Sequence, residues 1–376
     1  MGLYKYFMTN YDYVVVGAGL FGCVFAREAT DAGKKVLVVE KRSHIGGNCY
    51  TEQRSGIAVH MFGPHIFHTA DKRIWDYMNR WAQFNNFVLR VKAMHRGTLY
   101  SFPINLFTMH QLWGVSTPQE AEEKLSQVRV PCNEPRNLEE WALSQVGQEI
   151  YDTFIHGYTS KQWGRSPAAL PSSIIKRLPI RLTHNDRHFP DKDMFEGIPI
   201  GGYTPIFEKL LDGIEVSLGA DYLTDPTIKK MAEKVVYTGP IDAFFDYKFG
   251  PLEYRSLRFQ HEELKGDFQG NAIVNYTAAE VPWTRIVEHK HFALQSSPTT
   301  IITREFPQAF APGLEPYYPI SDTKNSALYE MYRLEAEKSG VIFGGRLARY
   351  QYYDMHQVVA AALKTVSQEC GKEIGK

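Results

Sequence analysis

The stretch from Tyr11 to Asn48 limits what this chain can fold into more than any other. It reads YDYVVVGAGLFGCVFAREATDAGKKVLVVEKRSHIGGN. Val14, Val15 and Val16 form an apolar run too short for a helix of its own and suited to a buried strand. Gly17, Gly19 and Gly22 follow at once in the G-x-G-x-x-G spacing. Cys23 to Ala32 then has helical composition, and Gly33 stops it. Val36 to Val39 is a second apolar run, closed by Glu40. Strand, glycine turn, helix, strand and acid, in that order, make the dinucleotide-binding unit. Gly17 permits the tight turn. Gly19 lets the backbone approach a pyrophosphate seated on the helix N-terminus. Glu40 is placed to accept from ribose hydroxyls.

A second glycine pair narrows the ligand. Ser43-His44-Ile45-Gly46-Gly47-Asn48 follows the acid closely. A nicotinamide enzyme needs no such pair. An extended FAD does, because its pyrophosphate and ribityl chain require a second close approach of backbone. The fold expected is therefore α/β, with a Rossmann-like FAD domain of the glutathione-reductase type. An ordinary Gly-Gly turn is the bland alternative.

The chain has 376 residues, more than one ordinary domain holds. Its formal net charge of +0 gives no basic field for nucleic acid, so phosphate must be held by a few placed arginines. Cys23, Cys49, Cys132 and Cys370 have neither metal nor redox spacing, which points to a reducing, cytoplasmic compartment. The opening MGLYKYFMTN lacks the apolar core of a signal peptide, and Met8 offers a second start. No apolar run approaches the length of a membrane span. A homodimer is the expected assembly, as the commonest state of such enzymes.

Along the chain, Gly56 to His68 reads as a strand pair broken at Gly63-Pro64. His60, His65 and His68 crowd it, with no carboxylate or cysteine to complete a metal set, and no metal is expected. Asp71 to Trp81 is an amphipathic helix, and Phe87 to Phe102 a hairpin turning at Arg96-Gly97. From Pro103 the texture is helical: Thr108 to Leu112, Thr117 to Ser126, Leu138 to Tyr151 and on to Trp163. Arg165 to Pro190, with four prolines, reads as a long and partly irregular loop. Strand patterns return at Glu215–Leu218 and Lys234–Tyr237, then at Leu252–Phe259, Ala272–Tyr276 and Thr299–Phe306. Val341 to Arg346 is a strand ending on glycines, and Met355 to Val366 a last amphipathic helix. The expected organisation is FAD domain 8–88, hairpin 89–102, and helical substrate-binding insertion 103–194 with a mobile loop 165–190. A return segment 195–245, an antiparallel sheet domain completed by 246–320, and a second FAD segment 321–376 follow.

Arg177 and Arg181 lie beside prolines in the long loop, where a mobile cation could close over a phosphate. Arg285 lies inside an apolar strand and needs an anionic partner, protein or ligand. Tyr317 and Tyr318 and the run Tyr350–Asp354 supply phenols. Arg346 follows the glycine pair where a last strand and helix N-terminus meet a flavin. No Ser-His-Asp order, P-loop or carboxylate pair stands out, so the flavin itself is the expected chemist.

The ordered segments GAGLFG, HIGGN, GPHIFHT, GYTSKQWG, IIKRLP, GIPIGGYT, YTGPIDAFFDY, TRIVEHK, PYYPI and GGRLARYQYYDMHQV resemble the bacterial UDP-galactopyranose mutases, from Tyr11 to about Val366. The resemblance implies an inserted helical bundle and an antiparallel sheet beside the FAD domain. It implies a redox-neutral use of reduced FAD, whose N5 attacks the anomeric carbon as the nucleotide leaves, so that a pyranose recloses as a furanose. Arg177 and Arg285 match the phosphate-binding arginines of that family. Trp163, Tyr317 and Tyr352 match its substrate-contacting aromatics, Asn275 a substrate-binding Asn, and Asp354 an active-site acid. Tyr158, in the same GYTSKQWG segment, joins them as a substrate residue. Gly17, Gly19, Phe21, Gly22, Glu40, Lys41, Gly47, Asn48, His65, Ile66 and Arg346 match FAD contacts, as does the run Met355, His356, Gln357 and Val358. The chain departs from the pattern at three places. His188 stands where a Tyr reaches the phosphates, Leu89 where an Asn near the sugar is common, and Trp283 where Tyr precedes Thr-Arg. The implied substrate is UDP-galactopyranose, with a dTDP-6-deoxyhexose such as dTDP-fucopyranose as the alternative that Leu89 suggests. A redox flavoenzyme of the amine oxidase or desaturase type is the more remote alternative.

Overall fold

The valine runs build the frame. In the computed structural model, which describes residues 11–174, 180–294 and 296–371, five parallel strands form one sheet. Its order is Ile342–Phe343, Ala232–Tyr237, Tyr11–Val16, Val36–Glu40 and Glu215–Leu218. Alternation along the central strand sends Tyr13 and Val15 into one core and Val14 into another, both fully buried. A parallel sheet covered on both faces needs apolar residues on both, which is why VVV runs unbroken. Helix Leu20–Asp31 and the last helix, Met355–Cys370, pack together on the first face.

A seven-stranded sheet stands beside it, in the order Tyr318–Pro319, Tyr254–Lys265, Thr299–Ala309, Arg285–Glu288, Ile273–Tyr276, Val91–His95 and Thr98–Phe102. It is not antiparallel throughout. Ile273–Tyr276 runs parallel to Val91–His95, because these strands come from segments far apart in sequence and no hairpin dictates their direction. Between residues 103 and 174 the chain is helical. Asn105, Thr117 and Asn137 cap Leu106–Trp113, Pro118–Val128 and Leu138–Ile150 through side-chain oxygens. A wide π turn at Tyr151–His156 then leads into helix Gly157–Trp163. These helices and the near end of the second sheet share one core around Leu106, Leu125, Val146 and Phe154.

The pairing expected around Gly63-Pro64 is corrected. Ile57–His60 pairs upstream with Thr51–Arg54 across Ser55-Gly56, while Phe67–Thr69 pairs with Phe195–Gly197, so Gly63-Pro64 separates two sheets and does not break one pair. The helix Thr323–Ser339 has no counterpart in the sequence reading, since it fully buries only Asn325 and Tyr332 and its apolar stripe is the short set Leu328, Tyr329, Tyr332 and Ala336. The stretch 165–174 contains two 3-10 turns, Pro167–Ala169 and Ser172–Ile174. Among the described residues no helix is long and apolar enough to cross a membrane.

Candidate active site

The glycine turn closes as the spacing requires. Gly17 has φ +103°, in the region that favours glycine, and a Cβ there would meet the Thr238 hydroxyl at 2.1 Å. A Cβ on Gly22 would meet the Gly17 carbonyl oxygen at 2.0 Å, so the helix can start only on glycine. The second pair packs on the first: Gly46 N–H donates to the Ala18 carbonyl at 2.8 Å, and a Cβ on Gly47 would lie 2.9 Å from the Gly19 Cα. Glu40 is buried, and its two oxygens accept from the N–H groups of Ala18 at 2.8 Å and Arg42 at 2.9 Å. The acid therefore braces the glycine turn, with lone pairs left for a ribose. Lys41 pairs with Glu315 at 2.9 Å. Phe21 is buried beneath Gly344, where a Cβ would strike its ring. Val358 is likewise core on the last helix.

A cavity of about 450 Å³ opens between this end of the parallel sheet, helix Gly157–Trp163, the second sheet and the start of the last helix. Its most ordered wall is a row across three strands. Asn275 pairs in register with Arg285, and Arg285 with Glu305, so the three side chains share one face. Arg285 Nη2 donates to the Tyr158 hydroxyl at 2.8 Å, and its Nε lies 3.3 Å from a Glu305 oxygen. Burial opposes the Arg285 charge, but Tyr158 and Glu305 more than offset it and hold the guanidinium above its ordinary pKa. Burial raises the Glu305 carboxyl, against the pull of Arg285. Glu305 was not singled out from the sequence. Its signal was present: an acid inside the β-branched run Thr299–Phe306, matching the cation in Arg285–Glu288.

A second wall is aromatic. Tyr318 and Tyr352 stack with centroids 5.5 Å apart, and the Arg346 guanidinium lies 4.7 Å from the Tyr352 ring. Arg346 also donates to the Tyr317 carbonyl at 3.3 Å. Tyr317 and Trp163 line the same space. A third wall is apolar: Leu89, 3% exposed, lies there with Val91, Phe102, Phe154 and Ile273. His188 also lines the cavity, and its backbone N–H donates to the Leu89 carbonyl at 2.9 Å, so two of the departures are neighbours. Asn48, His65 and Ile66 line the floor, and Asp354, Met355, His356 and Gln357 the end of the last helix. Asp354 caps that helix, and its N–H donates to Gln357 at 2.8 Å.

Other expected residues stand elsewhere. Arg177 lies outside the described residues. Arg181 is no free cation: it is buried and donates to the carbonyls of Arg187 at 2.5 Å and Phe189 at 2.8 Å, bracing the segment that carries His188. Trp283 packs edge-on against Tyr276 and Phe306, away from the cavity, so it reshapes no ligand site. His60 and His65 are joined, and His68 turns elsewhere. His60 accepts from the His65 N–H, His65 holds the Gly63 carbonyl at 2.9 Å, and His68 pairs with Asp193 at 2.7 Å under the Phe189 ring. Arg42 was also missed. It bonds Asn48 at 3.0 Å and Glu315 at 2.9 Å, tying the second glycine segment in place.

Residues 153–352 match the family model described as UDP-galactopyranose mutase, and residues 15–81 one described as NAD(P)-binding Rossmann-like domain. A Klebsiella pneumoniae protein named "Probable UDP-galactopyranose mutase" is 40% identical over 369 residues, 96% of this chain and 95% of that protein. The chain belongs to the UDP-galactopyranose mutase family. An Escherichia coli protein named dTDP-fucopyranose mutase is 37% identical, over 93% of this chain and 96% of that protein. The crystal structure of a reduced UDP-galactopyranose mutase shares the fold, with a TM-score of 0.76 over 96% of both chains at 16% identity. This chain is thus a flavin-dependent enzyme that isomerises sugar nucleotides between pyranose and furanose forms. Its residues fit FAD. The glycine cradle excludes a Cβ at Gly17, Gly22 and Gly47, and at Gly19 it leaves open space for a ligand. Among the described residues the buried polar atoms Asn275 Oδ1, Glu305 Oε1, Arg346 Nε and His356 Nδ1 find no hydrogen-bond partner, as befits the wall of a polar ligand site.

Proposed function

We propose that this enzyme interconverts UDP-galactopyranose and UDP-galactofuranose. The observation that carries the reading is the Asn275–Arg285–Glu305 row, with Tyr158 on Arg285, facing a cavity at the glycine end of an FAD fold. The Klebsiella relative supports the choice of sugar nucleotide. FAD would be held by Gly17, Gly19, Gly22, Glu40, Gly47, Asn48, His65, Ile66, Arg346 and Met355–Gln357, with Phe21 and Lys41 supporting the turn and Val358 the last helix. Reduced flavin, when bound, supplies a nucleophilic nitrogen and no net electrons. Arg285, with Arg177, holds the diphosphate and stabilises its charge as the sugar bond breaks. Tyr158 and Glu305 orient the Arg285 fork. Trp163, Tyr317, Tyr352, His188 and Asn275 enclose the nucleotide sugar, and Asp354 fixes the helix end beside it. The test is a panel of nucleotide sugars offered to dithionite-reduced enzyme, with furanose as the product sought. Consumption of oxygen or NAD(P)H in proportion to product would overturn the reading in favour of a redox flavoenzyme.

A second reading has its own observation. Leu89 is buried in an apolar wall and offers no hydrogen bond, which suits a methyl better than a hydroxymethyl. That favours a dTDP-6-deoxyhexose such as dTDP-fucopyranose, and the Escherichia relative supports it. An unpartnered hydroxyl in a closed site costs about 1–3 kcal/mol. The ratio of kcat/KM for the two nucleotide sugars, in the native enzyme and in Leu89→Asn, decides between them. We also place the enzyme in the cytoplasm as a homodimer that binds no nucleic acid. Its four unpaired cysteines and its net charge of +0 support this, and sedimentation tests the dimer.

A further inference from the structure

Four backbone carbonyls converge on one ammonium outside the cavity. Lys161 Nζ donates to the carbonyls of Tyr276 and Ala278 at 2.8 Å, Val281 at 2.9 Å and Trp283 at 3.0 Å. The first belongs to the last residue of strand Ile273–Tyr276 and the other three to the connection that leads from it into strand Arg285–Glu288. An ammonium has three protons, so four acceptors share them. Among the described residues no carboxylate pairs with this lysine. Glu280, on the same connection, is turned to Arg96 at 3.1 Å. A ring of carbonyl oxygens around a bare cation is how a potassium ion is held. Here the cation is tethered to a helix.

That helix is Gly157–Trp163, and its fit to the connection is close. Gly157 lies four residues before Lys161, on the same helix face. A Cβ there would meet the Thr277 carbonyl oxygen at 2.3 Å. Arg255 closes the other end by donating to the carbonyls of Gln162 at 3.0 Å and Lys161 at 3.3 Å. The connection begins two residues after Asn275 and ends one residue before Arg285. The helix carries Tyr158, which bonds Arg285, and Trp163.

We propose that Lys161 is a positioning residue: a built-in monovalent cation that gathers the 277–284 connection onto the helix and so sets Asn275 and Arg285 against Tyr158 and Trp163. Without the charge, four carbonyl dipoles face one another with their negative ends together, and the connection opens. Burial pulls the Lys161 amine down to about 8, with Glu280 pulling upward, so the ammonium persists at neutral pH. The inference rests on the reading of Asn275 and Arg285 as substrate ligands.

The test uses the FAD-loaded enzyme at constant ionic strength. Lys161→Met keeps the length and removes the charge; it should lower kcat/KM about tenfold or more, since small misplacements of binding groups cost this much, with no response to added cations. Lys161→Ala leaves room for an ion; it should recover activity in ammonium or potassium but not in N-methylglucamine, while the native enzyme responds to none of them. A native kcat/KM in Lys161→Met, or a FAD-loaded Lys161→Ala indifferent to ammonium and potassium, would overturn the proposal. Loss of FAD from both variants under every cation would overturn it too, by making the lysine a general element of the fold. Arg285→Ala assayed alongside keeps the two readings apart. Full activity there discards Arg285 as a ligand, whereas the cation response of Lys161→Ala reports on the carbonyl ring alone.

Discussion

Arg285 sits between the Tyr158 phenol of a helix and the Glu305 carboxylate that strand register sets beside it. Removing its guanidinium leaves the diphosphate charge uncovered where water is scarce. Arg285→Ala is expected to lower kcat by about a hundredfold or more, on the scale of a lost oxyanion donor, with FAD still bound. Steady-state rates on reduced enzyme check this. Arg177→Ala is expected to show a loss of the same order, and near-normal rates would remove that residue from the mechanism. Gly22 gives a prediction about the cofactor. A Cβ there would meet the Gly17 carbonyl oxygen at 2.0 Å, and backbone cannot step aside as a side chain can. Gly22→Ala should purify without flavin, read from the missing visible absorbance; a yellow protein with full occupancy would show that the turn can open. At this scale Gly17, Gly19, Gly22 and Arg285 were legible, because each is an anomaly in its own stretch. Glu305 was half legible as an acid in a β-branched run. Lys161 was not, since its partners are carbonyls, which leave no mark in a sequence.

Elements were legible where local chemistry decides them. Thr117-Pro118-x-Glu120 announced its helix. In the structure the Thr117 hydroxyl accepts from the Glu120 N–H at 3.2 Å, while Glu120 accepts from the N–H groups of Ser116 at 2.8 Å and Thr117 at 3.0 Å. Those hydrogen bonds hold the Glu120 carboxyl below its ordinary pKa. Thr117→Ala should cost about 1 kcal/mol locally. Faster amide exchange confined to Pro118–Val128, with kcat/KM unchanged, is the expected result, and unaltered exchange would show that the cap contributes nothing. The helix Thr323–Ser339 was missed for the opposite reason. Beyond its Asp322 cap it packs through a short face of Leu328, Tyr329, Tyr332 and Ala336, which many surrounding polar residues obscure in the sequence. Strand pairing was least legible. Thr51–Arg54 and Ile57–His60 differ little in pattern from other short strands, and the parallel partnership of Val91–His95 with Ile273–Tyr276 depends on how two distant segments meet.

At the scale of the molecule, a buried line of histidines joins the hairpin Thr51–His60 to the second sheet beside the cavity. The His65 N–H donates to His60 Nδ1 at 3.0 Å, the His60 N–H to His289 Nδ1 at 3.3 Å, and His289 Nε2 meets the Thr303 hydroxyl at 2.6 Å. Each backbone donor fixes a neutral tautomer, because a proton on that Nδ1 would face another N–H. Burial, with the charge of a neighbouring His65, brings His60 down to about 3. Burial, with Arg346 nearby, brings His65 down to about 4. Burial and the neighbouring His60 push His289 well below its ordinary range. In the unfolded chain each returns to about 6.5. Below that pH the unfolded chain binds more protons than the folded one. The stability these rings contribute is therefore complete above about 6.5 and is lost as pH falls toward about 4, at ~1.4 kcal/mol per pH unit for each ring that stays neutral. Since His65 lines the cavity, FAD should be released as the fold weakens. Flavin fluorescence and thermal midpoints followed from about pH 7.5 to about pH 5 are expected to move together below about 6.5. Midpoints that stay level over that span would mean that the three rings take up their protons without disturbing the fold.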